Sequence, residues 1–358
     1  MNTEFCWPDA GDPMPSGVRT SLLLEAFALA HGVSTVRIGA EGFMGGRAPD
    51  FSALGFHETI SLETSRSFVR TCGDRVARRS ALREAGIRVP TARSFGFAQA
   101  EQAGAFGEQF RHGALVKPRS VESGRARRRG LHTQEEIRES LTAWREQLGG
   151  HISFLVEQRV TGREHAFHVV GGRVVSVVRL RNGFWAEEVF RSGANGFGEI
   201  APEVLDHAVT AFQSLPAAPH GHVRIISRDI RTRPGVVVSV KPQPVLVGRR
   251  PPAEWGRFMA AEMIGHALRE VPWASDAPQE RVLAELRMSE VDEPAALVTG
   301  ARRRLAERGI AGEAEIIGDR GAGLWVQAAP GAVAALAGAA KRGRFGGGAP
   351  LTVTTTLG

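Results

Sequence analysis

The sequence predicts an α+β protein of several domains, and three observations carry that reading. Residues 18–31 (VRTSLLLEAFALAH) repeat apolar side chains at helical spacing, and a short strand-like segment, STVRIG at 34–39, follows at once. Two β-rich runs, 164–170 and 173–180, flank Gly171-Gly172, the signature of a tight hairpin. The end of the chain, 281–356, reads in order β-α-β-β-α-β. These patterns place a small α/β domain at 1–70, a central domain at 71–270, a Pro-, Ala- and Asp-rich linker at 271–280 and a closing module at 281–358.

Taken in order, the helix at 18–31 and the strand at 34–39 open the first domain. Residues 42–50, rich in Gly and ending in Ala-Pro-Asp, read as a loop. A helix over 74–85 stops at Gly86, a residue suited to the left-handed end of a helix. A strand ending in Ala114-Leu115-Val116-Lys117-Pro118 runs into an arginine-rich loop at 119–130. After a helix at 134–147 come strands at 152–157, 164–170 and 173–180, a helix at 202–214, strands at 222–230 and 235–241, and a helix at 253–269. In the last module the strands are 281–289, 313–318, 323–329 and 350–356 and the helices 294–308 and 331–341, an order that fits a ferredoxin-like fold.

With 42% hydrophobic and 23% charged residues, the composition is that of a soluble globular chain. No apolar run is long enough to span a bilayer, and the first residues lack the basic and apolar parts of a signal peptide, so a cytoplasmic protein is expected. Cys6 and Cys72 form neither a disulfide framework nor a zinc site. The net charge of +7 comes almost entirely from arginine, the only lysines being Lys117, Lys241 and Lys341. Arginine runs at 127–129 and 302–304 have the charge to meet phosphates, but no interleaved aromatics accompany them, so solvated faces are expected there. His165 and His168, three apart on a strand, point to opposite faces; His220 and His222 share one and read as solvated or capping groups.

Several segments fall in an order that matters. The first is Asp74-Arg75-x-x-Arg78, followed by Leu82 and by Ala85-Gly86-Ile87-Arg88-Val89-Pro90. The second is Leu115-Val116-Lys117-Pro118 and the loop with Ser120, Ser123 and Gly124. The third is Phe154-Leu155-Val156-Glu157-Gln158-Arg159-Val160-x-Gly162-x-Glu164, running on to Arg179. Over residues 70–245 this succession resembles the ATP-grasp family, closest to the nucleotide-binding part of cyanophycin synthetases and related peptide ligases. The resemblance implies two α+β subdomains gripping ATP. It implies that Arg75 stands in the place of a phosphate-binding lysine and that Lys117 reaches the nucleotide phosphates. Ser120, Ser123 and Gly124 fall in the phosphate-covering loop. Glu157 with the backbone of Arg159 and Val160 is expected to frame the base, and Glu164 to bind the ribose hydroxyls. Arg179 falls near the transferring phosphate, with Arg181 beside it on the same strand face.

The departure from the family is as informative. His222-Val223-Arg224-Ile225-Ile226-Ser227-Arg228-Asp229 and Val237-Val238-Ser239-Val240-Lys241-Pro242 occupy the segments that carry the family's magnesium ligands. Arg224, Ser239 and Lys241 stand at the ligand positions. Magnesium takes hard oxygen donors, and a guanidinium and an ammonium repel it. Asp229, an odd number of residues from Arg224, is expected to face the other way. The resemblance therefore implies a nucleotide-binding homologue of carboxylate–amine ligases with ATP as its ligand and no metal ligands, either non-catalytic or metal-independent. Two alternatives stay open: an active peptide or amide ligase working through an acyl phosphate on an amino acid or peptide, and an arginine-rich RNA-binding protein. In a non-catalytic homologue the partner is another protein; no membrane partner is expected. The 281–356 segment resembles an acylphosphatase-like module in its element order, without that family's catalytic arginine loop or asparagine, so it implies the fold and not the activity.

Overall fold

The computed structural model describes residues 15–120, 128–148, 152–192, 200–244, 246 and 252–358. Ser123, Gly124 and Cys6 lie outside the described residues. The protein is α+β, and its backbone divides into two compact units, residues 1–62 with 245–358 and residues 63–244.

The first unit begins with α1 (Ser16–Ala30), whose Leu22, Leu23, Leu24 and Leu29 are all buried. A helix apolar on several faces must be covered on several faces. Its buried Glu25 accepts from Arg37 Nε at 2.6 Å and from Thr35 Oγ1 at 2.8 Å, which ties α1 to β1 (Ser34–Arg37). The expected loop at 42–50 is instead most of a hairpin, β2 (Gly42–Arg47) against β3 (Asp50–His57), with β4 (Ile60–Ser61) beyond. The glycines misled the reading because they serve close approach rather than a loop: a Cβ on Gly46 would lie 2.3 Å from the Asp50 carbonyl oxygen.

The second unit opens with α2 (Arg66–Gly73), capped by Ser65 Oγ accepting from the Phe68 N–H at 3.1 Å, and α3 (Arg75–Glu84), capped by Asp74 accepting from Val76 and Ala77. After β5 (Ala92–Phe95) and α4 (Ala100–Glu108) come β6 (Ala114–Pro118), β7 (Arg128–Leu131), α5 (Gln134–Leu148) and β8 (Phe154–Gln158). These strands form one sheet in the order β5-β8-β6-β7. Ala114, Val116, Phe154 and Val156 face α4 and α5, where Ala103, Ile137, Leu141 and Trp144 complete a core. A second sheet, β11-β10-β9-β12-β13, is built from β9 (Arg163–Val170), β10 (Arg173–Arg181), β11 (Phe184–Arg191), β12 (His220–Ser227) and β13 (Val236–Lys241). The expected Gly171-Gly172 turn is present, with φ of 56° and 75°, a conformation that glycine adopts without strain. Between β11 and β12, α6 (Pro202–Gln213) lays Val204, Leu205, Ala208, Ala211 and Phe212 on Phe167, Val169, Val223 and Val240. Each large side chain buried there contributes about 1.5–3 kcal/mol.

The chain then returns to the first unit through α7 (Ala253–Ala267). Residues 271–280, read as a linker, are tied to the end of α1: Ser275 N–H donates to His31 O at 2.8 Å and Gln279 N–H to Ala30 O at 2.7 Å. The β-α-β-β-α-β order is as expected, in β14 (Val282–Ser289), α8 (Pro294–Arg308), β15 (Gly312–Ile316), β16 (Gly321–Ala328), α9 (Pro330–Lys341) and β17 (Thr352–Leu357). Its strands lie in the order β15-β16-β14-β17, and β1 then pairs with β17, so an eight-stranded sheet joins both ends of the chain. The separate first and last domains expected from the sequence share this sheet and one core, in which Val18, Leu22, Ala26 and Leu29 pack with Leu286, Leu324, Val333 and Leu336.

Candidate functional site

Strand alternation in the second unit fixes what faces what. Leu115 and Lys117 on β6 and Glu157 on β8 share the face opposite the α4–α5 core, since Leu115 pairs with Glu157 and Val116 with Val156. On the other sheet, Phe167, Val169, Val223, Ile225 and Val240 enter the α6 core. That leaves Glu164, His168, His222, Arg224, Ser239 and Lys241 on the opposite face. Cross-strand pairing sets Arg224 beside Ser239, and His222 between His168 and Lys241. Arg224, Ser239 and Lys241, expected from the resemblance to stand at metal-ligand positions, are thus brought onto one face by sheet register.

Leu115, Lys117, Glu157, Glu164, Arg224, Ser239 and Lys241 line one cleft of about 610 Å³ in the second unit. Nine of its lining residues are Arg or Lys and two are Glu. Of the residues expected from the sequence, Arg75, Lys117, Glu157, Arg159, Val160, Glu164, Arg179, Arg224 and Lys241 line it, drawn from α3, both sheets and the β8–β9 connection. Ser120 does not line it; its carbonyl accepts from Arg75 Nη1 at 2.5 Å, and its backbone bridges to Asp74. Asp229 is exposed outside the cleft, its carboxylate accepting from the Arg231 N–H at 3.0 Å.

The charges are arranged in pairs. Lys117 Nζ donates to Glu157 Oε1 at 2.9 Å, and both residues are buried. The second oxygen of Glu157 is ion-paired with Arg79. Burial and the neighbouring guanidinium groups of Arg78, Arg83 and Arg75 lower Arg79 to about 10, which leaves it charged at neutral pH. Arg224 Nη2 meets Glu164 Oε1 at 3.0 Å and also donates to the Gly183 carbonyl at 3.1 Å. Arg75 is bound to the end of β6, donating to Pro118 O at 2.5 Å. Arg179 borders the cleft, but its cross-strand neighbours are His165 and Glu187, out of step with Glu164 and Arg224, and its guanidinium is held by Glu187 at 2.9 Å. Arg159 donates its backbone N–H to Gly113 O at 3.0 Å, so that group is already engaged.

Sequence reasoning missed Arg78 and Arg79 as site residues. Both are buried on α3, and Arg78 lines the cleft, with Nη1 donating to Cys72 O at 2.6 Å. Burial above all lowers the Arg78 pKa, and nearby Arg224 adds to it, while Cys72 and Asp74 oppose. The signal was the spacing: three and four residues from Arg75 is one helix face. His220 and His222, read as solvated, are buried instead, because β12 lies inside its sheet between β9 and β13. The rings of His168 and His222 are 5.6 Å apart between centroids.

The donor set of the cleft is weighted toward phosphate, with nine Arg or Lys against two Glu. Arg and Lys offer charged N–H donors to phosphate oxygens. Among the described residues no group of three or more His, Cys, Asp or Glu is placed to hold a metal ion. Arg224, Ser239 and Lys241 present a guanidinium, a hydroxyl and an ammonium there, and the two charged groups repel a divalent cation. No helix among the described residues is long and apolar enough to cross a membrane.

No family model and no curated protein matches this chain. Among solved structures, the chain is similar to a D-alanine–D-alanine ligase from Bacillus anthracis at 15% identity, over 56% of this chain and 68% of that one, with a TM-score of 0.40. A RimK domain ATP-grasp protein from Sphaerobacter thermophilus is similar at 21% identity, over 55% and 68%, with a TM-score of 0.41. The ATP-grasp ligase PsnB, complexed with a minimal precursor, is similar at 17% identity, over 58% and 63%, with a TM-score of 0.41. The match leaves about a third of each of these chains uncovered.

Proposed function

We propose that this chain is an ATP-grasp homologue of the carboxylate–amine ligase type whose cleft binds a nucleotide polyphosphate through side-chain cations in place of magnesium. One observation carries the reading. Motif residues scattered from Arg75 to Lys241 converge on a single cleft whose charged lining is nine cations and two carboxylates. Lys117, Arg224 and Lys241 supply countercharge to the phosphates. At a separation of about 4 Å and an effective dielectric of 20, one such pair of unit charges is worth roughly 4 kcal/mol before desolvation is subtracted. Bound ATP supplies a phosphoryl group that, in the ligase type, activates a carboxylate for attack by an amine. The cationic set offers binding and charge neutralisation but no group that holds a metal between the phosphates. A nucleotide-binding homologue without ligase turnover is therefore the reading preferred over an active enzyme.

Calorimetry with ATP tests it. The dissociation constant is expected to agree within about threefold whether magnesium or EDTA is present, since a threefold change is under 1 kcal/mol. Strictly magnesium-dependent binding overturns the substitution of side chains for the metal. Phosphate release above background across a panel of amino acids and peptides, lost in Lys117→Ala, establishes the active ligase instead. Absence of nucleotide binding together with steeply salt-dependent RNA affinity moves the assignment to nucleic acid.

A further inference from the structure

The two cleft carboxylates differ in what they do. Glu157 is buried between Lys117 and Arg79, with the role of a fixed counter-ion. Glu164 reaches from β9 to Arg224 on β12, and their side chains remain 18% and 12% exposed. Arg224 is held from the other side by the Gly183 carbonyl, in the turn between β10 and β11. Its partly buried charge also lies within electrostatic range of the buried Arg78. Two guanidinium groups so placed repel each other unless anions stand beside them; the carboxylate paired with Arg224 is Glu164, while Asp74 acts on Arg78.

Resting on the polyphosphate reading above, we propose that Glu164 is a specificity-determining residue, a built-in counter-ion that neutralises Arg224 until a phosphate group displaces it. A phosphate and the Glu164 carboxylate compete for one guanidinium and repel each other. Binding therefore requires Glu164 to turn away, and its partial exposure leaves it a path to water. The intrinsic strength of the cleft is masked by this contact, so weakly charged ligands are excluded. Removing the charge while keeping the shape unmasks it.

The test uses the full chain and two probes, ATP and inorganic tripolyphosphate, which has no sugar. Glu164→Gln is expected to bind both about ten-fold tighter, a cautious fraction of the electrostatic energy of a close charge pair. In an Arg224→Gln background the same change is expected to bring no gain, which shows that the effect passes through the pair. Glu164→Ala serves as the second variant, with folding checked by circular dichroism, and is expected to tighten tripolyphosphate binding likewise. Unchanged tripolyphosphate affinity with weakened ATP binding means that Glu164 holds the ribose, and overturns the proposal. A gain that persists without Arg224 overturns it too. If the unaltered protein binds neither probe, the nucleotide reading itself fails, an outcome separate from either of these.

Discussion

At the scale of single residues, the cleft holds charges fixed in buried ion pairs beside charges that line its wall. Glu157 is 2% exposed and held by two cations from different elements, Lys117 on β6 and Arg79 on α3. Removing one partner of a buried ion pair leaves charge uncompensated and costs about 3–5 kcal/mol. Because Lys117 remains, Arg79→Met is expected at the lower end, a loss of roughly 3 kcal/mol in urea unfolding; a loss below about 0.5 kcal/mol would show that Lys117 suffices alone. Lys241 sits on a strand beside His222 and lines the cleft wall. Lys241→Met is expected to weaken ATP binding by about ten- to a hundred-fold, the range for a hydrogen bond to a charged group, with little change in the unfolding midpoint. Calorimetry and denaturation on the same variant separate the two effects. The same distinction shows how far residue-level roles were legible. Lys117, Arg224 and Lys241 were singled out by their motifs, Lys241 also by the scarcity of lysine, and all three line the cleft. Arg79 was invisible because its partner Glu157 lies 78 positions away, on another element.

At the scale of elements, alternation made most of the cleft legible, while irregular segments hid the rest. The strands at β6, β8, β9, β10, β12 and β13 were read within a few residues because Val, Ile, Leu or Phe recurs along each of them. β11 was missed because its FWAEEVFR has only one fully buried residue, Phe190, and reads as neither period. α2 was missed because RSFVRTCG buries only Phe68 and Cys72. Burial of β12 was missed as well, and it has a consequence that titration reads. Burial lowers His168 to about 4, opposed by a hydrogen bond with the Ser176 backbone, and pushes His222 well below its ordinary range, with His168, Arg224 and Lys241 adding to the shift. Both are neutral in the folded chain at pH 7, and in the unfolded chain they take up protons near 6.5. The unfolded state thus binds more protons between about pH 6.5 and 4, so stability falls as pH falls through that window. For His168 alone the full shift corresponds to roughly 3 kcal/mol. The melting temperature is expected to drop between pH 7 and 5, before most carboxylates titrate, and to drop less in His168→Gln. An equal drop in the variant would place the pH sensitivity elsewhere.

At the scale of the whole molecule, the chain order and the packing order disagree, and this is why domain boundaries were the least legible feature. The closing β-α-β-β-α-β segment has the outline of an independent domain in sequence, yet α1 from the other end of the chain is part of its core, with Leu22 packed so closely on α9 that a Cβ on Gly338 would lie 2.6 Å from it. Its last strand, β17, carries β14 on one side and β1 on the other. Nothing local in residues 281–358 signals that a helix some 250 positions earlier completes them. The second unit, by contrast, is one continuous stretch, holds both of its sheets and every residue of the cleft, and makes its cores from its own side chains. Two fragments follow with opposite expectations. Residues 63–244 alone are expected to melt cooperatively and to bind ATP within about threefold of the full chain, since none of the cleft is removed. Residues 280–358 alone are expected to lack a cooperative transition, because the α9 face that packs on α1 is left exposed and β17 becomes an unpaired edge. Circular dichroism of both fragments, with calorimetry on the first, decides the matter. A sharp melt for 280–358 would mean that α1 merely covers a core already complete, and would restore the closing module as a domain of its own.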